Sequence, residues 1–369
     1  MKKFMATVLA ASMLTACLAS CGEGGKSDTF FIGGTGPLTG GAASYGISVK
    51  EGATLAIEEI NKAGGLNGYQ FTFDLKDDEA DSEKAGTAYD QLMDAGMQIS
   101  IGSVTSGACL AFADRAKADN LFFMTPSAST AKVVESKYAF RVCFGDPDQG
   151  YLAAETLAAQ FNNIGVIYDT SDDYSSGIFA AFEEKMKELN KTYTARVFDS
   201  ESNRDFSTQV AALKDCDVIF LPIYYTEAGL IAQEAKKIGC NAVLFGCDGL
   251  DGVADQVKGK DITNEIKYIT PFDVNSTDEK VAAFVKAYKE KYNTAPDQFA
   301  ADGYDAVMAI YEAMKKADVK DPSISAADLA EVVYKAITDG FTYNGVTGSM
   351  TWNEGGEPDK VPVIVDVTK

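Results

Sequence analysis

The chain of 369 residues carries 54 acidic residues, 33 basic residues, no histidine and a formal net charge of −21. Its length suits two or three domains of roughly 100–200 residues each, and 46% hydrophobic with 24% charged residues is typical of folded chains. The acidity disfavours nucleic acids and anionic membrane surfaces as partners. Without histidine, the chain lacks the usual neutral-pH base, the Ser-His and Cys-His nucleophile pairs and most kinds of zinc site.

The sequence begins with a predicted export signal. A basic start, a short apolar run and small residues over 1–20 are typical of a secretory signal peptide. The end of this segment resembles a bacterial lipobox, which predicts cleavage before Cys21 and lipidation of that cysteine, with Cys17 as the alternative. The polar, glycine-rich residues 21–28 then predict a flexible tether. We expect an extracytoplasmic protein held on the bacterial cell membrane only by this lipid; a plain secretory signal with incidental cysteines is the alternative.

Strands alternate with helices along most of the remaining chain. The first series comprises strands at 29–33, 69–75, 98–102, 121–124 and 139–142, and helices at 46–63, 82–93 and 108–118. The second comprises helices at 150–161, 176–189, 206–213 and 226–238, and strands at 164–168, 192–198, 217–221 and 242–245. Helices at 278–291, 299–316 and 326–337 and strands at 350–352 and 361–367 follow. The alternation predicts an α/β fold of two similar lobes, each built on a parallel sheet covered on both faces.

Glycine-rich and hydroxyl-rich loops follow the early strands. The loop at 33–40 lacks the glycine spacing of a dinucleotide-binding turn, and Pro37 removes a backbone donor, so a nucleotide cofactor is not expected. Loops 103–107 and 125–130 carry several hydroxyls at the carboxyl ends of parallel strands, where open α/β sheets bind ligands. Beside a helix N-terminus such hydroxyls suit a carboxylate. For Ser106, simple helix capping is the alternative.

The five cysteines beyond residue 28 fit no metal or redox spacing. Their apolar or small neighbours favour buried thiols, and a bond between Cys240 and Cys247 is the alternative. Two aspartate-rich segments, at 169–173 and 248–252, lack the ligand spacing of a calcium loop. We therefore expect neither a metal nor a cofactor.

The motifs, taken in order, resemble those of the branched-chain amino acid (Leu/Ile/Val-binding) class of solute-binding proteins, which feed ABC importers. The matching segments are GPLTG at 36–40, IEEINKAGGLNG at 57–68, TPSAS at 125–129, FR at 140–141 and DQG at 148–150. The resemblance implies the type I periplasmic-binding-protein fold, two doubly wound Rossmann-like lobes joined by three crossings, near 146–148, 270–273 and 348–351. Lobe 1 would comprise 29–147 plus 272–348, and lobe 2 would comprise 148–271 plus 349–369.

The resemblance also implies a ligand site between the lobes. The residues it assigns to ligand binding are Tyr45, Ser106, Ser127, Ser129, Tyr174, Tyr224 and Asp248. The serines would hold the α-carboxylate and α-ammonium, the tyrosines would line or cover the side chain, and Asp248 would pair with the ammonium. Asp248 stands where close relatives have Glu, and Ser129 where Thr is usual, which leaves the side-chain preference open. Turn chemistry at Asp248 and surface positions for the tyrosines are the alternatives.

The implied function is delivery of a small amino acid, branched-chain or other aliphatic, to an ABC permease by cleft closure. The protein would act as a monomer, without enzymatic activity. A ligand sensor of the same fold, or a binder of an amide, urea or aromatic acid, is the alternative. A carboxylate-based enzyme using Asp172 and Asp248 is the least favoured hypothesis, because no acid/base pair has convincing placement in the sequence.

Overall fold

Two sheets with helices on their faces form the core of the computed structural model, which describes residues 28–199 and 204–367. The predicted signal peptide (1–20), Cys17, Cys21 and all but the last residue of the tether lie outside the described residues. No helix within the described ranges is long and apolar enough to cross a membrane.

The first sheet has five strands, and every neighbouring pair is parallel. In chain order its elements are β1 Thr29–Gly36, α1 Ala43–Lys62, β2 Gln70–Asp77, α2 Ser82–Asp94, β3 Ile99–Ser100, α3 Ser106–Asp119, β4 Phe123–Thr125 and β5 Ala139–Arg141. The strand order is β2-β1-β3-β4-β5. Helix α1 stops before Gly64 and Gly65, whose positive φ values of 105° and 70° suit glycine and end the helix.

The second sheet has six strands in the order β13-β10-β9-β8-β6-β7. Its elements are α4 Asp146–Gln160, β6 Ile164–Asp169, α5 Asp173–Glu188, β7 Thr194–Phe198, α6 Ser207–Ala212, β8 Val218–Leu221, α7 Tyr225–Ile238, β9 Val243–Gly246, α8 Val253–Val257, β10 Ile266–Thr270 and β13 Val363–Asp366. Only β13 is antiparallel to its neighbour. The predicted α/β architecture of two wound lobes is confirmed.

The stretch between β10 and β13 packs mainly against the first sheet's helices. It contains α9 Glu279–Tyr292, α10 Gln298–Lys316, α11 Ala326–Thr338 and a hairpin of β11 Thr342–Gly345 and β12 Gly348–Thr351. Helix α10 lies very close to α1, because a Cβ on Gly52 would lie 1.8 Å from the carbonyl oxygen of Ala300. The predicted strand at 350–352 is thus the second strand of a hairpin rather than part of either large sheet.

The chain passes between the two sheets three times, after β5, after β10 and after β12. Lys360, in the third passage, has a buried ammonium that contacts the carbonyl of Val142 at 3.0 Å and the carboxylate of Asp302 at 3.3 Å. Trp352 donates its indole N–H to the carbonyl of Arg141 at 2.7 Å. These contacts hold the first and third passages side by side.

Candidate ligand-binding cleft

The carboxyl ends of the central strands of both sheets face one cleft. Loops after β3 and β4 enter it from one side, and loops after β6, β8 and β9 enter it from the other. This is the edge at which parallel α/β sheets bind ligands.

Six of the seven predicted ligand residues surround one inner cavity. The residues lining this inner cavity are Tyr45, Val104, Thr105, Ser106, Ser127, Tyr174, Tyr224, Asp248, Gly249 and Phe299. Its volume is about 10 Å³, room for about one water molecule. The two lobes are therefore closed on each other, and an amino acid can enter only if they separate.

The two hydroxyl-rich loops are bonded to each other. The hydroxyl of Ser106 accepts hydrogen bonds from the backbone N–H of Ser129 at 3.2 Å and of Thr130 at 3.3 Å, and Ser127 donates to the carbonyl of Val104 at 2.7 Å. Ser106 is the first residue of α3 and does not cap it, so the capping interpretation is wrong. The start of α3 thus lines the inner cavity at Thr105 and Ser106 and has no side-chain cap, and an uncapped helix N-terminus favours a carboxylate.

Ser129 is the one predicted residue that does not line the inner cavity. Its hydroxyl lies near Asp146, at the start of α4, where it favours the ionised form of the carboxyl. Burial nevertheless raises the pKa of Asp146 well above its usual value, and Arg141 only partly opposes this. Helix α4 begins at Asp146, earlier than the predicted residue 150, because Pro147 suits a first helical turn.

Tyr45 connects the lobes directly. Its hydroxyl donates to the carbonyl of Gly249 and accepts from the N–H of Tyr225 at 3.2 Å, both in the opposite lobe. Its ring stacks on Phe299, with centroids 4.1 Å apart. A second contact across the cleft runs from the hydroxyl of Thr226 to the carbonyl of Gly41 at 2.9 Å.

Asp248 is a buried carboxyl between aromatic rings. It accepts from the hydroxyl of Tyr174 at 2.7 Å, and its backbone N–H donates to the side chain of Gln149 at 3.1 Å. Burial raises its pKa to about 6, while the Tyr174 hydrogen bond opposes the rise. No salt bridge reaches Asp248 from any residue in 28–199 or 204–367. A buried carboxylate without a cation is placed to receive an ammonium group.

The aromatic rings make the walls of the inner cavity. Tyr174 and Tyr224 stack with centroids 5.1 Å apart, and Tyr45 meets Tyr224 edge-on at 5.5 Å. The alternative of surface positions is wrong for Tyr45 and Tyr174, which are 2% and 3% exposed. Such walls suit a short apolar side chain.

Comparison with known proteins identifies the family. A model of the periplasmic binding protein family matches residues 29–364. The chain belongs to this family.

Relatives of this periplasmic binding protein carry amino-acid-binding names. A Leu/Ile/Val-binding protein of Rhizobium johnstonii is 28% identical over 88% of both chains. A leucine-, isoleucine-, valine-, threonine- and alanine-binding protein of Pseudomonas aeruginosa is 29% identical over 94% of this chain and 92% of its own.

Solved structures agree with the fold of this periplasmic binding protein. A leucine-binding protein from Thermotoga maritima has a TM-score of 0.81 at 27% identity, covering 91% of this chain and 95% of its own. A branched-chain amino acid transporter binding protein from Streptococcus pneumoniae, in complex with isoleucine, has a TM-score of 0.78 at 28% identity, covering 92% and 99%. The resemblance seen in the sequence motifs is therefore confirmed.

Sequence reasoning missed Val104, Thr105, Gly249 and Phe299 as cavity residues of this periplasmic binding protein. Val104, Thr105 and Gly249 lie within two residues of Ser106 or Asp248 in the sequence, so extending the predicted site to sequence neighbours would have found them. Phe299 begins the α10 region and gives no sequence signal beyond helix periodicity, since only the return of the chain to the first lobe brings it to Tyr45.

Metal and disulfide chemistry play no visible part in the described structure. Within residues 28–199 and 204–367, no group of three or more potential ligands is arranged to hold a metal ion. All five cysteines in these ranges are free thiols, so the alternative of a bond between Cys240 and Cys247 is not realised.

Proposed function

We propose that this protein captures a small aliphatic α-amino acid between its lobes and delivers it to an ABC importer. The observation that carries the proposal is that the inner cavity combines hydrogen-bond donors for an anionic group with a buried carboxylate for a cationic group. The start of α3, with the unpartnered hydroxyl of Thr105, offers donors to a carboxylate, and Asp248 offers a negative charge to an ammonium. Together they match a zwitterion, and the aromatic walls match an apolar side chain.

Binding would proceed by closure of the cleft. Residues of both lobes line the inner cavity, so an amino acid there would contact both lobes at once, with the lobes slightly farther apart than the present cavity of about 10 Å³ allows. Tyr45 and Thr226 already bridge the lobes, and they would strengthen the closed form. No bond is made or broken, which suits a chain without histidine in a family of binding proteins.

The proposal also includes where the protein acts in the cell. The family is periplasmic, and the names of the relatives and solved neighbours associate them with amino acids and ABC transporters. A lipid on Cys21, or alternatively Cys17, would keep the protein near a membrane permease. We propose that it acts there as a monomer without enzymatic activity.

Thermal unfolding with a panel of the common α-amino acids tests the function. A cognate ligand at about 100 times its Kd should stabilise the protein by roughly 2.7 kcal/mol. Leucine, isoleucine, valine and alanine should give the response.

Matched ligands provide the control. Leucinamide, which lacks the carboxylate, and N-acetyl-leucine, which lacks the ammonium, should bind far more weakly than leucine. Absence of a shift with every α-amino acid would overturn the proposal.

A further inference from the structure

A second and larger cavity adjoins the inner one. This outer chamber has a volume of about 330 Å³. Thr105 and Tyr224 line both cavities, so the two are neighbours at these residues. The hydroxyl of Thr105 is buried and has no hydrogen-bond partner. A ligand held by its α-amino acid group in the inner cavity could extend past Tyr224 into this space.

Carboxylates dominate the wall of the outer chamber. Asp169, Asp172, Glu227 and Glu79 line it, and among the described lining residues Arg204 is the one cation. Glu79 pairs with a lysine outside the chamber at 2.7 Å, and Arg204 lies 3.6 Å from Glu227. Across the described ranges, no salt bridge reaches the other two carboxylates. Among the described residues, acidic groups therefore outnumber basic groups in the wall of the chamber.

The carboxylates also interact with one another. Burial, with a smaller contribution from the charge of Asp169, raises the pKa of Asp172 to about 7. Burial also raises the pKa of Glu227, with Arg204 opposing and Asp169 adding to the rise. Asp169 and Glu227 are only 5% and 7% exposed, so solvent screens them poorly. A cation in the chamber would relieve this repulsion.

Local structural roles account for part of this arrangement. Asp172 caps α5 through the N–H of Ser175 at 2.9 Å, and Asp169 accepts from Ser171 at 2.6 Å. These partners are neutral and bring no positive charge to the carboxyl groups. Neither contact explains the open volume or the unpartnered hydroxyl of Thr105 in its wall.

We propose that the outer chamber is a second subsite for the positively charged end of a diamino acid such as lysine or ornithine. The inference rests on the proposed function, because the inner cavity must hold the α-amino acid group. It extends the substrate class from aliphatic amino acids to those with a distal ammonium. The carboxylates of Asp169, Asp172 and Glu227 would receive that ammonium at the end of an apolar stem.

Calorimetric titration with L-lysine and L-norleucine tests the inference, because the two ligands share one carbon chain and differ in the terminal ammonium. Lysine should bind at least about tenfold more tightly, which corresponds to about 1.4 kcal/mol. The preference should shrink as salt concentration rises. Equal binding, or tighter binding of norleucine, would overturn the subsite.

Two variants should change the preference for lysine over norleucine in opposite directions. Glu227→Gln removes a lining charge and should lower the lysine preference, whereas Arg204→Ala removes the opposing cation and should raise it. Glu234→Gln, on the same helix but paired with Lys237 outside the chamber, is the matched control and should change nothing. A preference that neither chamber variant changes would contradict the assignment.

Failure of the subsite and failure of the function give different results. If leucine binds and lysine shows no advantage over norleucine, the proposed function stands and the subsite is wrong. If lysine binds and leucine does not, the subsite stands and the aliphatic preference is wrong. If no α-amino acid binds, both are wrong.

Discussion

The pKa of the Asp248 carboxyl is set by its buried surroundings. Burial raises the pKa of its carboxyl to about 6, and the hydroxyl of Tyr174 holds it in place. It is therefore mostly ionised at neutral pH and has no cationic partner among the described residues. An ammonium ligand would supply the missing charge and make the buried carboxylate favourable.

The Asp248→Asn substitution tests this role. The amide keeps the size of the side chain and an acceptor for Tyr174 but removes the charge. Leaving a buried ammonium without its carboxylate should cost at least about 2 kcal/mol, or roughly 30-fold in leucine affinity by calorimetry. The exposed Asp255→Asn on α8 is the matched control and should bind normally. A loss of less than about threefold at position 248 would contradict the ammonium role.

The predicted site residues depended on the family resemblance rather than on local pattern. Hydroxyl-rich loops after strands indicated the correct edge of the first sheet, and the structure brings Ser106 and Ser127 to the inner cavity. The burial of the site residues and their hydrogen-bond partners could not be predicted from the sequence, because both depend on contacts between segments that are distant in the chain. The Tyr45 bond to Gly249 joins residues 204 positions apart, and no periodicity encodes it.

Helices α1 and α10 pack through glycine. A Cβ on Gly52 would meet the carbonyl of Ala300 at 1.8 Å, and one on Gly303 would meet the carbonyl of Val49 at 2.5 Å. The close approach of the two backbones thus needs a missing side chain on each helix. This packing fixes the start of α10, and with it the place of Phe299 at the inner cavity.

Replacing Gly52 with alanine should therefore destabilise the protein. The added methyl would clash with backbone that cannot move alone, at a cost of about 1–3 kcal/mol or more. Gly86→Ala in α2 is the control: the three atoms nearest its Cβ all belong to the guanidinium of Arg115, the far end of a flexible side chain that can move away. The control should be neutral or gain up to about 1 kcal/mol from helix propensity. Equal unfolding midpoints in denaturant titrations of the two variants would refute the packing argument.

At the level of elements, alternation of strands and helices predicted nearly all of both sheets, because each element has its own periodicity. It could not predict that β13 runs antiparallel at the edge of the second sheet. The direction of β13 depends on the end of the second sheet at which the chain arrives after its third passage. That arrival point is set by contacts between distant segments and not by local sequence. Strand β10 was not predicted, and of the hairpin only its second strand was, at 350–352.

Across the whole molecule, burial of acidic side chains at the cleft opposes its stability at neutral pH. Asp146, Asp172 and Asp248 all have pKa values raised by burial, the last two to about 7 and about 6. An unfolded aspartate titrates near 3.9. Between about pH 4 and 7 the folded protein thus binds more protons than the unfolded chain, so its stability falls as pH rises.

The ligand-free protein should therefore melt at a higher temperature at pH 5.5 than at pH 8, by at least ~3 °C. Carboxyls with lowered pKa values, such as Glu331 at about 2, oppose this trend only below about pH 4. Asp172→Asn should flatten the dependence, because it removes one titrating group, and calorimetric melting of both proteins would measure it. A higher melting temperature at pH 8 would contradict the role of the buried carboxyls.

The single tryptophan of the chain occupies the junction between the lobes. Trp352 is buried, stacks on Phe341 with centroids 6.0 Å apart and bonds to the carbonyl of Arg141 beside the first passage. When tryptophan is excited at a wavelength that the 17 tyrosines do not absorb, the emission therefore comes from this junction alone. The molecule thus contains a natural optical probe at the junction of its lobes, and a change in this emission on ligand binding would time the proposed closure by stopped flow without any attached dye.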